Sequence, residues 1–137
     1  MKKRIVRAGV AIVVLAVAVP AAVLAAQGNH QAQTVRVNLS EFHIKGVPSS
    51  LKPGSTTFQV KNVGKFPHDF VTLYAPAGSK FKTAQLKPKA GTSVTVNLKP
   101  GAYIVICDVG AGYHASQGMI AKFTVGKFSF TTFKWTA

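Results

Sequence analysis

Apolar and polar residues alternate with a period of two along several short stretches of this chain. Val35, Val37 and Leu39 alternate with Arg36 and Asn38, Phe58 and Val60 flank Gln59, and Val94, Val96 and Leu98 alternate with Thr95 and Asn97. Successive side chains of a strand point to opposite faces, so each stretch predicts a strand with one buried and one wet face. Together with β-branched runs further on, the pattern gives strands at 35–42, 56–62, 69–74, 92–98, 102–107 and 120–125. Turns are signalled by Lys52-Pro53-Gly54, Ala75-Pro76-Ala77-Gly78 and Lys99-Pro100-Gly101, where Pro sets φ and Gly tolerates the left-handed region. Helical periodicity is hard to find in the same region. Six strands, each with one apolar face, predict an all-β fold, an antiparallel two-sheet Greek-key β-sandwich in which each sheet covers the other.

The ends of the chain follow different patterns. Lys2, Lys3, Arg4 and Arg7 precede a charge-free run from Ala8 to Ala26 that is rich in Ala and Val. A basic segment before an apolar one reads as an export signal, and the small residues Ala25 and Ala26 allow cleavage before Gln27. The run also reaches the length of a membrane span, so a retained anchor is the alternative. The expected organisation is a signal peptide or N-terminal membrane anchor at 1–26, a flexible lead-in at 27–34, the folded domain at 35–125 and an aromatic tail at 126–137. That tail carries Phe128, Phe130, Phe133 and Trp135, and reads as an extra edge strand or as a segment that touches a membrane interface. Either fate of the leader puts the domain in the periplasm or on the extracytoplasmic face of a membrane.

Charge narrows the partners. Seventeen Lys and Arg against three Asp and Glu give a formal charge of +14, and the domain stays strongly cationic without its leader. Such a field favours anionic partners. Export and the scatter of lysines over many strands argue against nucleic acid. An anionic membrane surface or an acidic partner protein fits better.

Cys107 is the single cysteine, so no intrachain disulfide is available to an exported chain. Metal ligation gives the thiol a purpose. Two segments carry the candidate chemistry: Asn62-Val63-Gly64-Lys65-Phe66-Pro67-His68-Asp69, and the run from Gly101 through Tyr103, Cys107, Gly110, Gly112 and His114 to Met119. A thiolate, two neutral imidazoles and a thioether form the soft set that suits copper, with the thioether as a weak axial ligand. Gly110 and Gly112 permit the chain reversal that would let Cys107 and His114 face one ion. His30 and His43 read as ordinary surface or core residues.

These segments resemble the cupredoxins, the plastocyanin-like family of type I blue copper proteins, over most of residues 35–125. The resemblance implies a sandwich with one copper at one end, held by His68 from an earlier loop and by Cys107, His114 and Met119 from the loop joining the last two strands. It implies a monomer that carries single electrons between redox partner proteins, and no enzyme. Copper delivery or storage in the periplasm on the same fold is the alternative. Phe66, Pro67, Val109, Ala111, Tyr113 and Ala115 would ring the exposed edge of His114, and lysines outside that ring would steer partners with acidic docking surfaces. Two departures stand out: the interval between Cys107 and His114 is longer than in plastocyanins, and Asp69 follows the first His where Asn is usual. Asp69 and Asp108 flank candidate ligands, either as ionised groups that lower the reduction potential or with one protonated and donating a hydrogen bond that pins the loop.

Overall fold

The computed structural model describes residues 32–130. Eight strands and one helical turn follow in the order β1 (Gln33–Ser40), β2 (His43–Lys45), β3 (Ser50–Leu51), β4 (Gly54–Asn62), β5 (Val71–Tyr74), β6 (Gly91–Leu98), β7 (Gly101–Ile106), α1 (Tyr113–Ser116) and β8 (Ile120–Val125). They form two four-stranded sheets, ordered β2-β1-β4-β6 and β3-β8-β7-β5.

The alternating stretches bury the expected faces. Val35, Val37, Leu39, Phe58, Val60, Val96 and Leu98 lie in the core, and Arg36, Asn38, Gln59, Thr95 and Asn97 face water. The facing sheet contributes Tyr103, Val105, Phe123 and Val125. An aromatic cluster joins the layers: Phe58 stacks on Phe81 at 5.1 Å between ring centroids and meets Phe70 edge-on at 5.4 Å, while Tyr103 stacks on Phe123 at 4.7 Å. Such pairs add to the area they bury.

The sandwich is as the pattern predicts, but its sheets are mixed where antiparallel pairing was expected. β1 runs parallel to β4, with Gln33 opposite Thr56 and Leu39 opposite Asn62, and β3 runs parallel to β8. The reason is the path between β1 and β4, which turns back through β2 and then crosses to the other sheet as β3 before returning. Alternation sets which face is buried and carries no information about strand direction.

Boundaries shift as well. β1 starts at Gln33, inside the expected lead-in, because the Gln33 side chain donates to the Lys52 carbonyl at 2.6 Å and to Thr56 Oγ1 at 2.8 Å. It stops at Ser40, and Glu41 and Phe42 form a turn. β5 starts at Val71, and Cys107 lies one residue past β7. Residues 126–130 of the tail form no strand. The leader at 1–26, His30, Phe133 and Trp135 lie outside the described residues. Among the described residues no helix is long and apolar enough to cross a membrane.

The register puts Gln33, Gly54, Leu98, Gly101 and Val125 at one pole, and Ser40, Asn62, Gly91, Ile106 and Ile120 at the other. The candidate ligands extend from the second pole.

Candidate metal centre

His68 arrives on the loop that leaves β4, and Asn62 shapes that loop. The Asn62 side chain is fully buried; its Oδ1 accepts from Gly64 N at 2.8 Å, and its Nδ2 donates to the carbonyls of Phe66 and Leu86, each at 2.8 Å. His68 then exchanges backbone hydrogen bonds with Leu86, at 3.1 and 2.7 Å. The loop is thus tied down before and at its ligand.

The second loop continues from β7. Cys107 N donates to the Met119 carbonyl at 3.2 Å, and Met119 N donates to the His114 carbonyl at 3.1 Å, so backbone bonds link the ends of the loop to its middle. Gly110 and Gly112 take φ of 71° and 84°, the reversal expected of them, and Ala111 between them also has a positive φ of 52°. The helical turn α1, absent from the periodicity, carries His114 inward. One turn is too short to leave a periodic trace in the sequence.

Three donor atoms converge. His68 Nδ1 and His114 Nδ1 are 3.1 Å apart, and Cys107 Sγ lies 3.7 Å from the first and 3.4 Å from the second. From these sides a point equidistant from all three donors lies about 2 Å from each, close to ordinary metal–imidazole and metal–thiolate bond lengths. His68 and Cys107 are fully buried, and His114 is 9% exposed. Met119 is fully buried as well. His43 stands exposed on β2.

Protonation follows burial. Desolvation lowers the His68 pKa against the opposing pull of Glu41, which favours the neutral ring that a metal needs. Desolvation also raises the Cys107 thiol, so thiolate here calls for a cation. Asp69 settles how the loops are pinned: its backbone N–H donates to Cys107 Sγ at 3.4 Å, and its Oδ1 accepts from Asp108 N at 2.7 Å. The Asp69 side chain thus joins the two loops by a bond that it accepts.

Glu41 went unnoticed in the sequence. It sits 27 residues before His68 in the β1–β2 turn, and its Oε1 lies 3.2 Å from His68 Nε2. Burial raises its pKa, but hydrogen bonds from its own amide, from Phe66 and Lys65, and from His68 outweigh this and bring it to about 2. The available signal was scarcity, for the chain has only three carboxylates. Two already stood beside candidate ligands, and all three sit at this pole.

Around the site Phe66, Tyr113 and Val63 are 59%, 57% and 54% exposed. Pro67 and Ala111 are exposed, and Val109 and Ala115 half-buried. Phe42 packs edge-on against both His114 and Tyr113, at 5.3 and 6.1 Å.

Fold and donor set together define a small β-sandwich with, among the described residues, one buried cluster of two imidazoles and one thiol. Solved structures share the architecture. Auracyanin from the photosynthetic bacterium Roseiflexus castenholzii matches over 69% of this chain and 96% of its own, at 17% identity and a TM-score of 0.54. Auracyanin A, a blue copper protein of Chloroflexus aurantiacus, matches over 69% and 99%, at 17% identity and a TM-score of 0.56. A copper-containing nitrite reductase from Thermus scotoductus matches over 70% of this chain but 23% of its own, at 22% identity and a TM-score of 0.51. No family model matches the sequence, and no curated protein matches it significantly. The likeness shows that this chain shares the fold of these proteins, and the cluster of His68, Cys107 and His114 fits one type I copper ion.

Proposed function

We propose that this chain is an exported type I copper protein that carries single electrons between redox partners. His68, Cys107 and His114 would supply the in-plane ligands and Met119 the weak axial one. The observation that carries the reading is the convergence of two imidazole nitrogens and the only thiol of the chain on one buried point. Bound copper supplies reversible one-electron exchange, which is fast where its surroundings need not rearrange.

The chain's residues provide that constancy. Asn62 and the Leu86 backbone hold the His68 loop, Asp69 holds the Cys107 loop, and burial keeps water off three of the donors. Four protein donors leave no position for a substrate, which favours a carrier over an enzyme. His114 is the one residue of the four that is not fully buried, and the exposed Phe66 and Tyr113 suit weak docking around it. The excess of lysine favours partners with acidic surfaces, and the leader at 1–26 would deliver the domain at 35–125 as a monomer to the extracytoplasmic side.

The test is to express the chain without residues 1–26, add Cu(II) and record the visible spectrum. An intense thiolate-to-copper band that bleaches on reduction and disappears in Cys107→Ser is expected. Colourless Cu(I) binding with ready transfer to a chelator would instead indicate delivery, and no binding at all would refute both.

A further inference from the structure

The Glu41 carboxylate gathers two backbone N–H donors and one ring nitrogen on one oxygen. Its Oε1 lies 2.6 Å from Lys65 N, 2.7 Å from Phe66 N and 3.2 Å from His68 Nε2. The His68 loop closes tightly around it: a Cβ on Gly64 would come within 2.6 Å of the same oxygen, so a side chain there would push the carboxylate from its place. Glu41 is 22% exposed and His68 not at all. A single side chain of the β1–β2 turn therefore holds both the backbone that leads to His68 and the outer nitrogen of its ring.

We propose that Glu41 is a positioning residue of the metal centre: it accepts the Nε2 proton of His68, which leaves Nδ1 bare and aimed at Cys107 Sγ and His114 Nδ1, and it sets a fixed negative charge behind the ligand. A neutral imidazole has one donor and one acceptor nitrogen, and the partner of one decides the state of the other. Any acceptor could fix the tautomer. Only a carboxylate also brings a full charge, which stabilises the oxidised, more highly charged ion over the reduced one and polarises the ring toward it. This second effect rests on the copper reading above, whereas the tautomer does not.

Two substitutions separate the effects. Glu41→Gln keeps an acceptor oxygen and removes the charge; Glu41→Ala removes both. In the metal-free protein at neutral pH, nitrogen-15 NMR of the histidine rings should find His68 protonated at Nε2 in wild type and in Glu41→Gln, with a mixture of tautomers in Glu41→Ala. In the copper-loaded protein Glu41→Gln should raise the reduction potential and weaken Cu(II) binding by about tenfold or more, with Cu(I) binding changed less. Thermal stability measured alongside separates these shifts from general loosening. His68 protonated at Nδ1 in wild type would overturn the proposal, as would a wild-type potential and Cu(II) affinity in Glu41→Gln. Should Glu41→Ala fail to fold, wild type and Glu41→Gln still decide. Should wild type bind no copper, the copper reading fails by itself and the wild-type tautomer still tests the position assigned to Glu41.

Discussion

Where Gly54, Leu98 and Gly101 meet, the chain reverses in very few residues; where Asn62, Cys107 and Met119 meet, it runs out into long loops. Each pole must satisfy the backbone groups that the strands no longer pair. At the first, two residues, Lys99 and Pro100, carry the chain from one sheet to the other. The buried Tyr103 covers that turn, its hydroxyl donating to the Lys99 carbonyl at 2.8 Å and accepting from Lys99 N at 3.0 Å. Ser79 adds a bond to the Asn97 carbonyl at 2.9 Å. At the second pole Asn62, Asp69 and Glu41 hold the loops from within, each accepting from backbone N–H groups that lie outside the strands. Every buried side-chain nitrogen or oxygen among the described residues has a partner. The difference is that hydroxyls of Tyr103 and Ser79 hold the short-turn pole, while an amide and two acidic side chains, Asn62, Asp69 and Glu41, hold the site pole.

Substitutions at the two poles should therefore differ in kind. The largest effect is expected for Asn62→Ala, which leaves the Phe66 carbonyl and Gly64 N without their partner and the Leu86 carbonyl with only its bond from His68 N; a loss of about 2–4 kcal/mol follows from the usual cost of such groups. Chemical denaturation measures it, and the same variant should bind copper less tightly. A loss below about 1 kcal/mol would mean that water or a shifted loop replaces Asn62. Tyr103→Phe comes next. It removes a hydroxyl that bridges Lys99 N and O and should lower stability by about 1–2 kcal/mol. Its visible spectrum should match wild type, and a changed spectrum would show that the poles are not independent. The smallest effect is expected for Ala111→Gly. Ala111 has a positive φ that glycine adopts freely, so the change should stabilise by up to about 1 kcal/mol unless the added freedom of the unfolded chain cancels it. A destabilised variant would show that the methyl group packs usefully.

Much of this was legible in the amino-acid sequence. β1, β4 and β6 each present a clean alternation, and β7 a short apolar run that is buried throughout. The order of His68, Cys107 and His114, with Pro67 and the glycines between them, pointed to the cluster that converges. What stayed hidden was of two kinds. β2, β3 and α1 have four residues or fewer, too few for any period to register. Glu41 belongs to a pairing between distant segments, since His68 meets it only because β1 and β4 lie side by side. Local pattern is blind to such a contact.

The parallel pairing of β1 with β4 has a kinetic consequence. Antiparallel neighbours can zip outward from a tight turn, but Gln33 meets Thr56 only after the chain has looped through a different layer. Closing such loops costs entropy before any contact compensates it, which places this topology with the millisecond-to-second folders of the all-β class. Glu41 follows the end of β1 and His68 lies on the loop that leaves β4, so the bond between them waits for that slow closure.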